Sequence, residues 1–548
     1  MKRKILASCI LALSLCLCFA LVSCVGNESG DNASTHKHTY GEWNITIAPT
    51  CTELGLKEKK CSCGYSVTEK IKANAHKYSD GYCTVCEERE PSEGLEYTLS
   101  PNGEYYIVSG VGTCTNTELY ISGTYEGLPI RSIENYAFKG CTSFTRMIIG
   151  KSVTHIGYSA FEDCTSLTSV TIGDGIESIY DTAFKNCTNL TEINFNAVEM
   201  RDVDDNDFIF DNAGKSGNGI TVNIGGKVTK IPSKLFRSNA ADIAKITNVV
   251  FEENSICTSI GENAFKNSTS LKGITIPESV TIIDYDAFWN CTSLISVTIG
   301  NGVTSIGDRA FMDCRSLTSL TIPEGVEGIG EYAFCGCTSL TSLTMSESVG
   351  GIGADAFSRC TSLTSVNYLG DKENWCNIYF AERESNPLCY SNNLYIKGEL
   401  VTEMVIPNTV TEIKRYAFNG YTSLTSIVIP DSVISIGESA FEDCTHLTSI
   451  VISDSVTSIG ESAFDDCTNL ASIVIPDSVI SIGRAAFRKC TSLTSITIPD
   501  SVTSIDESAF LYCENLEIYC EAESQPSGWN SEWNSSDRPV IWGYVPEE

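Results

Sequence analysis

Cys61-x-Cys63 and Cys83-x-x-Cys86, with His76 between them, place four thiols and an imidazole in one short segment. Four thiolates are the donor set of a structural zinc site, and His76 is a substitute ligand. Cys51, His36 and His38 complete a Cys/His-rich stretch over residues 36–90. Cys-x-Cys is a tighter first pair than zinc knuckles usually carry. In an oxidising compartment the same cysteines would pair as disulfides, and five cysteines leave one over. Disulfides, zinc and neither all stay open on spacing alone, with export favouring disulfides.

A second set of cysteines is regular. Cys141, Cys164, Cys187, Cys291, Cys314, Cys337, Cys360, Cys444, Cys467 and Cys490 each stand three residues after a phenylalanine, and Cys513 does so in the final unit. Catalysis requires one thiol activated by a base, and no histidine recurs at a fixed offset from these. Zinc requires ligands that converge on a point, whereas one cysteine per repeat makes a line. Free, buried, space-filling thiols are expected, because cysteine is among the most buried residue types, with occasional disulfides between adjacent coils as the alternative.

What positions them is a repeat. Phe138, Phe161 and Phe184 stand 23 residues apart, as do Phe265 to Phe357 and Phe418 to Phe510, while Phe236 belongs to a longer, irregular turn. A fixed short period means a solenoid. In the coil Ala440–Ser462 the inward positions are Phe441, Cys444, Leu447, Ile450, Ile452, Val456 and Ile459, with Ala463 and Phe464 opening the next coil. Alternation through Ile450 and Ile452 predicts a short strand with one face buried. Val456–Ile459 predicts a second extended piece, and Glu461–Phe464 after Gly460 reads as a helical turn. A single coil buries too little to fold alone, so neighbours and end caps are required.

The pattern (N/C)-x-x-L-x-x-(I/V)-x-I-P-x-x-V-x-x-I-G-x-x-A-F resembles the BspA-like, treponemal type of leucine-rich repeat, over about residues 95–545. The resemblance implies a right-handed superhelix of 23-residue coils with a short parallel sheet on its concave face. It also implies a bacterial surface protein that binds host or matrix molecules.

The ends give the compartment. Lys2, Arg3 and Lys4 precede an apolar run, and Leu21–Cys24 resembles a lipobox, so residues 1–23 read as a lipoprotein signal and Cys24 as the lipidated residue. An extracytoplasmic, lipid-anchored chain at the bacterial cell surface follows, touching membrane through its lipid only. Losing those three cations takes the formal charge from -32 to -35, which excludes a nucleic-acid partner. Residues 24–35 read as a tether, 91–133 as an N-terminal cap with an Asn102-Gly103 turn, 134–520 as repeats, and 521–548 as a tryptophan-bearing C-terminal cap.

Two interruptions, near 190–235 and 368–406, break the period. The first holds an aspartate-rich stretch that fails the calcium-loop template and reads as a solvated loop. The second brings Trp375, Tyr379 and Tyr390, which either pack the insertion or form a ligand patch, and it makes Cys376 and Cys389 a plausible disulfide pair. The resembled family often carries such an insertion, matched by Gly370 and Trp375.

No catalytic constellation is present in the sequence, and a non-enzymatic function is expected. The favoured role is recognition of an extracellular protein or glycan, with a structural spacer as the alternative. The expected binding face is the outward row of the strands: Ser296/Thr298, Ser319/Thr321, Ser342/Thr344, Ser426/Val428, Ser449/Val451, Ser472/Val474 and Ser495/Thr497. No cofactor is required by this reading, apart from the zinc left open between residues 36 and 90.

Overall fold

The computed structural model describes residues 38–546, apart from positions 52, 75, 80, 81, 87, 88 and 122. The export signal, Cys24, the tether and His36 lie outside them. Two compact units are present, and the division falls inside the Cys/His-rich segment: residues up to 48 with 55–71 form one, and 49–54 with 72 onward form the other.

The smaller unit is a three-stranded antiparallel sheet of Asn44–Ile47, Gly55–Lys60 and Ser66–Ile71. Ile45 and Ile47 are exposed, so this sheet has little core of its own. Lys57 and Lys59 lie over the Trp43 ring at 4.6 Å, which adds cation–π contacts in place of burial.

The larger unit is a solenoid in which most coils carry two short strands. The first strands, such as Ser319–Ile322, Ser342–Met345 and Ser365–Tyr368, pair in parallel and in register. Eight of them, from Glu118–Ile121 to Ser296–Thr298, form the longest sheet. The second strands, such as Ser435–Ile436 and Ser458–Ile459, make a second parallel row. Strands this short suffice because every coil repeats the same alternation and donates to the next.

The stretch expected as a helical turn is instead a run of tight turns. Ser462 and Asp466 adopt φ of 52° and 57°, in the left-handed region, and so interrupt any helix. The turns still bond from coil to coil: Ser439 N donates to Glu461 O, Phe441 N to Ala463 O and Asp443 N to Asp465 O, at 2.8–2.9 Å. Gly460 serves close approach, because a Cβ there would meet Glu438 N at 2.7 Å.

Inside, Phe441, Cys444, Leu447, Ile450, Ile452, Val456, Ile459 and Phe464 are buried within one core that runs from Leu95 to Trp533. The phenylalanine rings stack nearly parallel, with Phe464 5.3 Å from Phe441 and 5.4 Å from Phe487. Phe210 continues the stack between Phe184 and Phe236, at 5.3 and 5.6 Å. The aspartate-rich interruption is therefore part of lengthened coils, and two of its carboxylates are paired: Asp202 accepts from Lys230 at 3.0 Å, and Asp205 from Lys234 at 2.5 Å.

Both ends of the solenoid are covered. Glu96–Leu99 and Tyr106–Gly110 form an antiparallel hairpin whose second strand pairs with Leu128–Ile133. At the far end Trp533 meets Phe510 edge-on at 5.9 Å, and Trp529 Nε1 donates to Val502 O at 2.9 Å. The rings that end the chain thus shield the last coil's apolar face.

Candidate functional site

The repeat cysteines are held by the turn that follows each phenylalanine. Their thiols do more than fill space. Cys164, Cys187, Cys291, Cys314, Cys337, Cys360, Cys444, Cys467, Cys490 and Cys513 each donate S–H to the carbonyl of the phenylalanine one coil back, at 2.9–3.4 Å. That carbonyl already accepts the N–H of the residue three further on in its own coil, as Phe441 O does from Cys444 N at 3.2 Å. The thiol therefore serves the second lone pair of a buried acceptor. Burial pushes the Cys164 thiol up to about 12 and drives Cys467 and Cys490 well above the ordinary thiol range. All are free thiols, and their sulfurs lack the exposed, electropositive setting of a reactive cysteine.

On the outer side, the strand row faces solvent. Ser319 pairs with Ser342, and Thr321 with Thr344. Ser426 pairs with Ser449, Val428 with Val451, and Ser449 bridges to Ser472. Ser495 and Thr497 continue the row against Glu517 and Tyr519. Ser296 and Thr298 line an open hollow of about 1000 Å³, with Val250, Glu252 and Thr275. The structure adds Val405, which pairs with Val428. Val405, Val428, Val451 and Val474 are 58%, 40%, 58% and 77% exposed, an apolar stripe across four coils. Val405 follows the second interruption, where the period restarts; only its 23-residue distance from Val428 marks it.

The aromatic patch proposed for the second interruption does not assemble. Trp375, on the short helix Lys372–Asn377, is fully buried and donates Nε1–H to Ala417 O at 3.0 Å. It packs edge-on to Tyr368 at 5.3 Å, so the ring joins the core and is lost as a ligand contact. Tyr390 is half-buried and accepts from Arg359 N at 3.1 Å, which leaves Tyr379 exposed by itself. Cys376 and Cys389 are both free thiols. Cys376 is buried, and Cys389 donates toward Asn419 Oδ1 at 3.0 Å.

The Cys/His segment sorts itself differently from its spacing. Cys83, Cys86 and His76 meet Cys51, while Cys61 and Cys63 meet His38; the ligand atoms within each group lie within 4.8 Å of one another. The four-sulfur set of Cys61, Cys63, Cys83 and Cys86 divides between the two compact units. Its pairs fall in separate groups, because the strands Gly55–Lys60 and Ser66–Ile71 carry Cys61 and Cys63 at their connecting turn. In the first group Cys51 Sγ is 3.9 Å from Cys83 Sγ, and Cys86 Sγ is 3.4 Å from His76 Nδ1. Burial, then the thiols of Cys86 and Cys83, push Cys51 up to about 12. Burial acts the same way on Cys83. Hydrogen bonds from the backbone of Cys86, Val85 and Lys77 and from the His76 side chain outweigh it and bring Cys83 down to about 5. In the second group His38 Nδ1 lies 3.2 Å from Cys63 Sγ, and both residues are exposed.

A family profile described as BspA type leucine rich repeat region matches residues 127–242, 258–385 and 391–517, in six copies. Among solved structures, a leucine rich cell surface protein from Faecalibacterium prausnitzii is 26% identical over 84% of this chain and 98% of that one, with a TM-score of 0.31. A leucine-rich repeat protein from Bacteroides ovatus is 22% identical over 82% of this chain and 98% of that one, with a TM-score of 0.40. The pneumococcal vaccine antigen PcpA is 17% identical over 83% of this chain and 98% of that one, with a TM-score of 0.37. No curated protein matches the chain.

Proposed function

The chain belongs to the BspA-type leucine-rich repeat family, and from that premise we propose that it is a non-enzymatic recognition protein of the bacterial cell surface, anchored through a lipid on Cys24. Its partner is an extracellular protein or polysaccharide, bound along the outer face of the first-strand row. The observation that carries this reading is the in-register ladder of half-buried Ser426 and exposed Ser449 and Ser472 beside the stripe of Val405, Val428, Val451 and Val474. A stripe of this kind on a solvent-facing sheet marks a contact surface, since soluble monomers seldom leave aligned apolar residues uncovered. Hydroxyls beside valines suit an extended partner that runs across the coils. The row lacks the aromatic anchors of a tight hot spot, so contact is broad and shallow. The acidic composition keeps the unbound protein soluble and disfavours acidic partners.

The test is binding of the exported chain to a panel of matrix proteins and polysaccharides, followed by the triple variant Val428→Glu, Val451→Glu and Val474→Glu. Affinity for any captured partner should fall at least tenfold while the circular dichroism spectrum is kept, because these side chains point to water. Undiminished binding by the triple variant would move recognition to another face. Absence of any partner would favour a structural spacer.

A further inference from the structure

We propose that Cys51, His76, Cys83 and Cys86 hold one zinc ion, which fastens the chain segment entering the solenoid to the first coils. The four ligands come from three stretches of chain, residues 49–54, His76 and the turn at 83–86, and they converge where the repeat cysteines run in a line. Zinc at about 2.3 Å from sulfur and about 2.0 Å from nitrogen, in a tetrahedron, demands S···S edges of about 3.8 Å and S···N edges of about 3.5 Å. The spacings of 3.9 Å for Cys51–Cys83 and 3.4 Å for Cys86–His76 match those edges. A disulfide between Cys51 and Cys83 requires about 2.0 Å. It would also use two of the four groups and leave a thiol beside an imidazole.

Burial supports a closed, structural site. Cys51 and Cys83 are 6% and 1% exposed, and Cys86 and His76 are half-buried. The group around His38 has three ligands, with His38 and Cys63 exposed, and lacks this enclosure.

The consequence lies at the start of the longest sheet. The strand Glu118–Ile121 is its first member and has an open side. Residues just after Cys86 cover that side: Ser92 N donates to Tyr120 O at 3.0 Å, Ser92 Oγ accepts from Tyr120 N at 2.9 Å, and Arg89 pairs with Glu118 at 2.7 Å. Glu53, two residues after Cys51, pairs with Arg131 at 2.8 Å. Four ligands tied to one ion hold both approaches in place, which such a loop, short of apolar core, cannot do by packing. The metal acts as the clasp of the N-terminal cap.

The experiment takes the exported chain, dialysed against buffer with zinc and then without it, and counts metal by mass spectrometry. Zinc should be retained by the wild type and by the Cys61→Ser/Cys63→Ser double variant, and one equivalent should be lost from Cys51→Ser and from Cys83→Ser. Cobalt substituted for zinc should give tetrahedral d–d bands and thiolate charge transfer in the wild type but not in Cys83→Ser. The circular dichroism of the solenoid in Cys83→Ser should match the wild type, which shows that metal loss is not unfolding. On chelation, amide exchange at Ser92 and Tyr120 should rise at least tenfold. Zinc retained by both Cys51→Ser and Cys83→Ser would overturn the assignment, as would a zinc-free wild type whose peptide map shows a Cys51–Cys83 disulfide.

Discussion

Cys467 Sγ points at a carbonyl, Phe441 O, 3.2 Å away in the previous coil. Cys51 Sγ points at another sulfur, that of Cys83, 3.9 Å away. Both side chains are buried, and both arise from a chain rich in cysteine. The difference lies in how the backbone presents them. A translational repeat gives each cysteine the same neighbour one coil back, so the thiols form a ladder of donors that satisfies one acceptor after another. A non-repeating segment folds three stretches onto one point and brings ligand atoms together. Cysteine content alone says nothing about which regime applies; the symmetry of the surrounding backbone does.

Alkali should separate the regimes most strongly. The ladder thiols have folded pKa values raised by burial, so the native state keeps protons that the unfolded state gives up. Their contribution is complete below the unfolded thiol value of about 8.5 and is lost as pH rises from there toward the folded values, at about 1.4 kcal/mol per pH unit for each thiol. With ten such thiols in one core, urea midpoints should fall steeply between pH 8 and pH 11. A flat profile over that range would mean that the thiols are not held as buried donors.

Breaking the phenylalanine stack comes next. Phe464→Ala removes a fully buried ring that touches two others and should cost about 3–5 kcal/mol. The loss would be read by urea melts at neutral pH. An effect below about 1 kcal/mol would show that neighbouring coils close the gap.

Cys467→Ala is the smallest and sharpest change. It deletes the S–H donor to Phe441 O, and that carbonyl keeps the N–H of Cys444. A loss of about 1–2 kcal/mol is expected, the sum of one sulfur's burial and one weak hydrogen bond. Stability equal to wild type would reduce the ladder to simple packing.

Much of the solenoid was legible from the chain because translation along the axis writes each contact many times. The inward set from Phe441 to Ile459 follows from alternation and period alone, and so does the outward row. What escaped had no repetition behind it. Phe210 keeps the stack across coils whose lengths differ, so alignment at 23 residues passes over it. Trp375 carries no mark in the sequence of whether its ring turns inward, and its burial depends on Ala417, far along the chain. Cys51 has no partner within a short motif, whereas Cys61 and Cys63 form a conspicuous pair. Local spacing therefore points to Cys61 and Cys63, whereas the fold brings Cys51 to Cys83, Cys86 and His76. The S–H···O bond was missed for another reason: its acceptor is a backbone atom, which no residue pattern displays.

The coil-to-coil ladder also bears on how such a chain changes length over generations. Removing residues 442–464 would join Phe441 to Asp465 and bring Cys467 to the place of Cys444, with the following inward residues in step. Every ring, thiol and strand would find the kind of neighbour it had before. Duplication of a coil would do the same in the other direction. Unequal recombination between near-identical coding repeats can therefore lengthen or shorten the molecule by whole coils without a folding penalty at the junction. Natural variants should differ in reach before they differ in architecture.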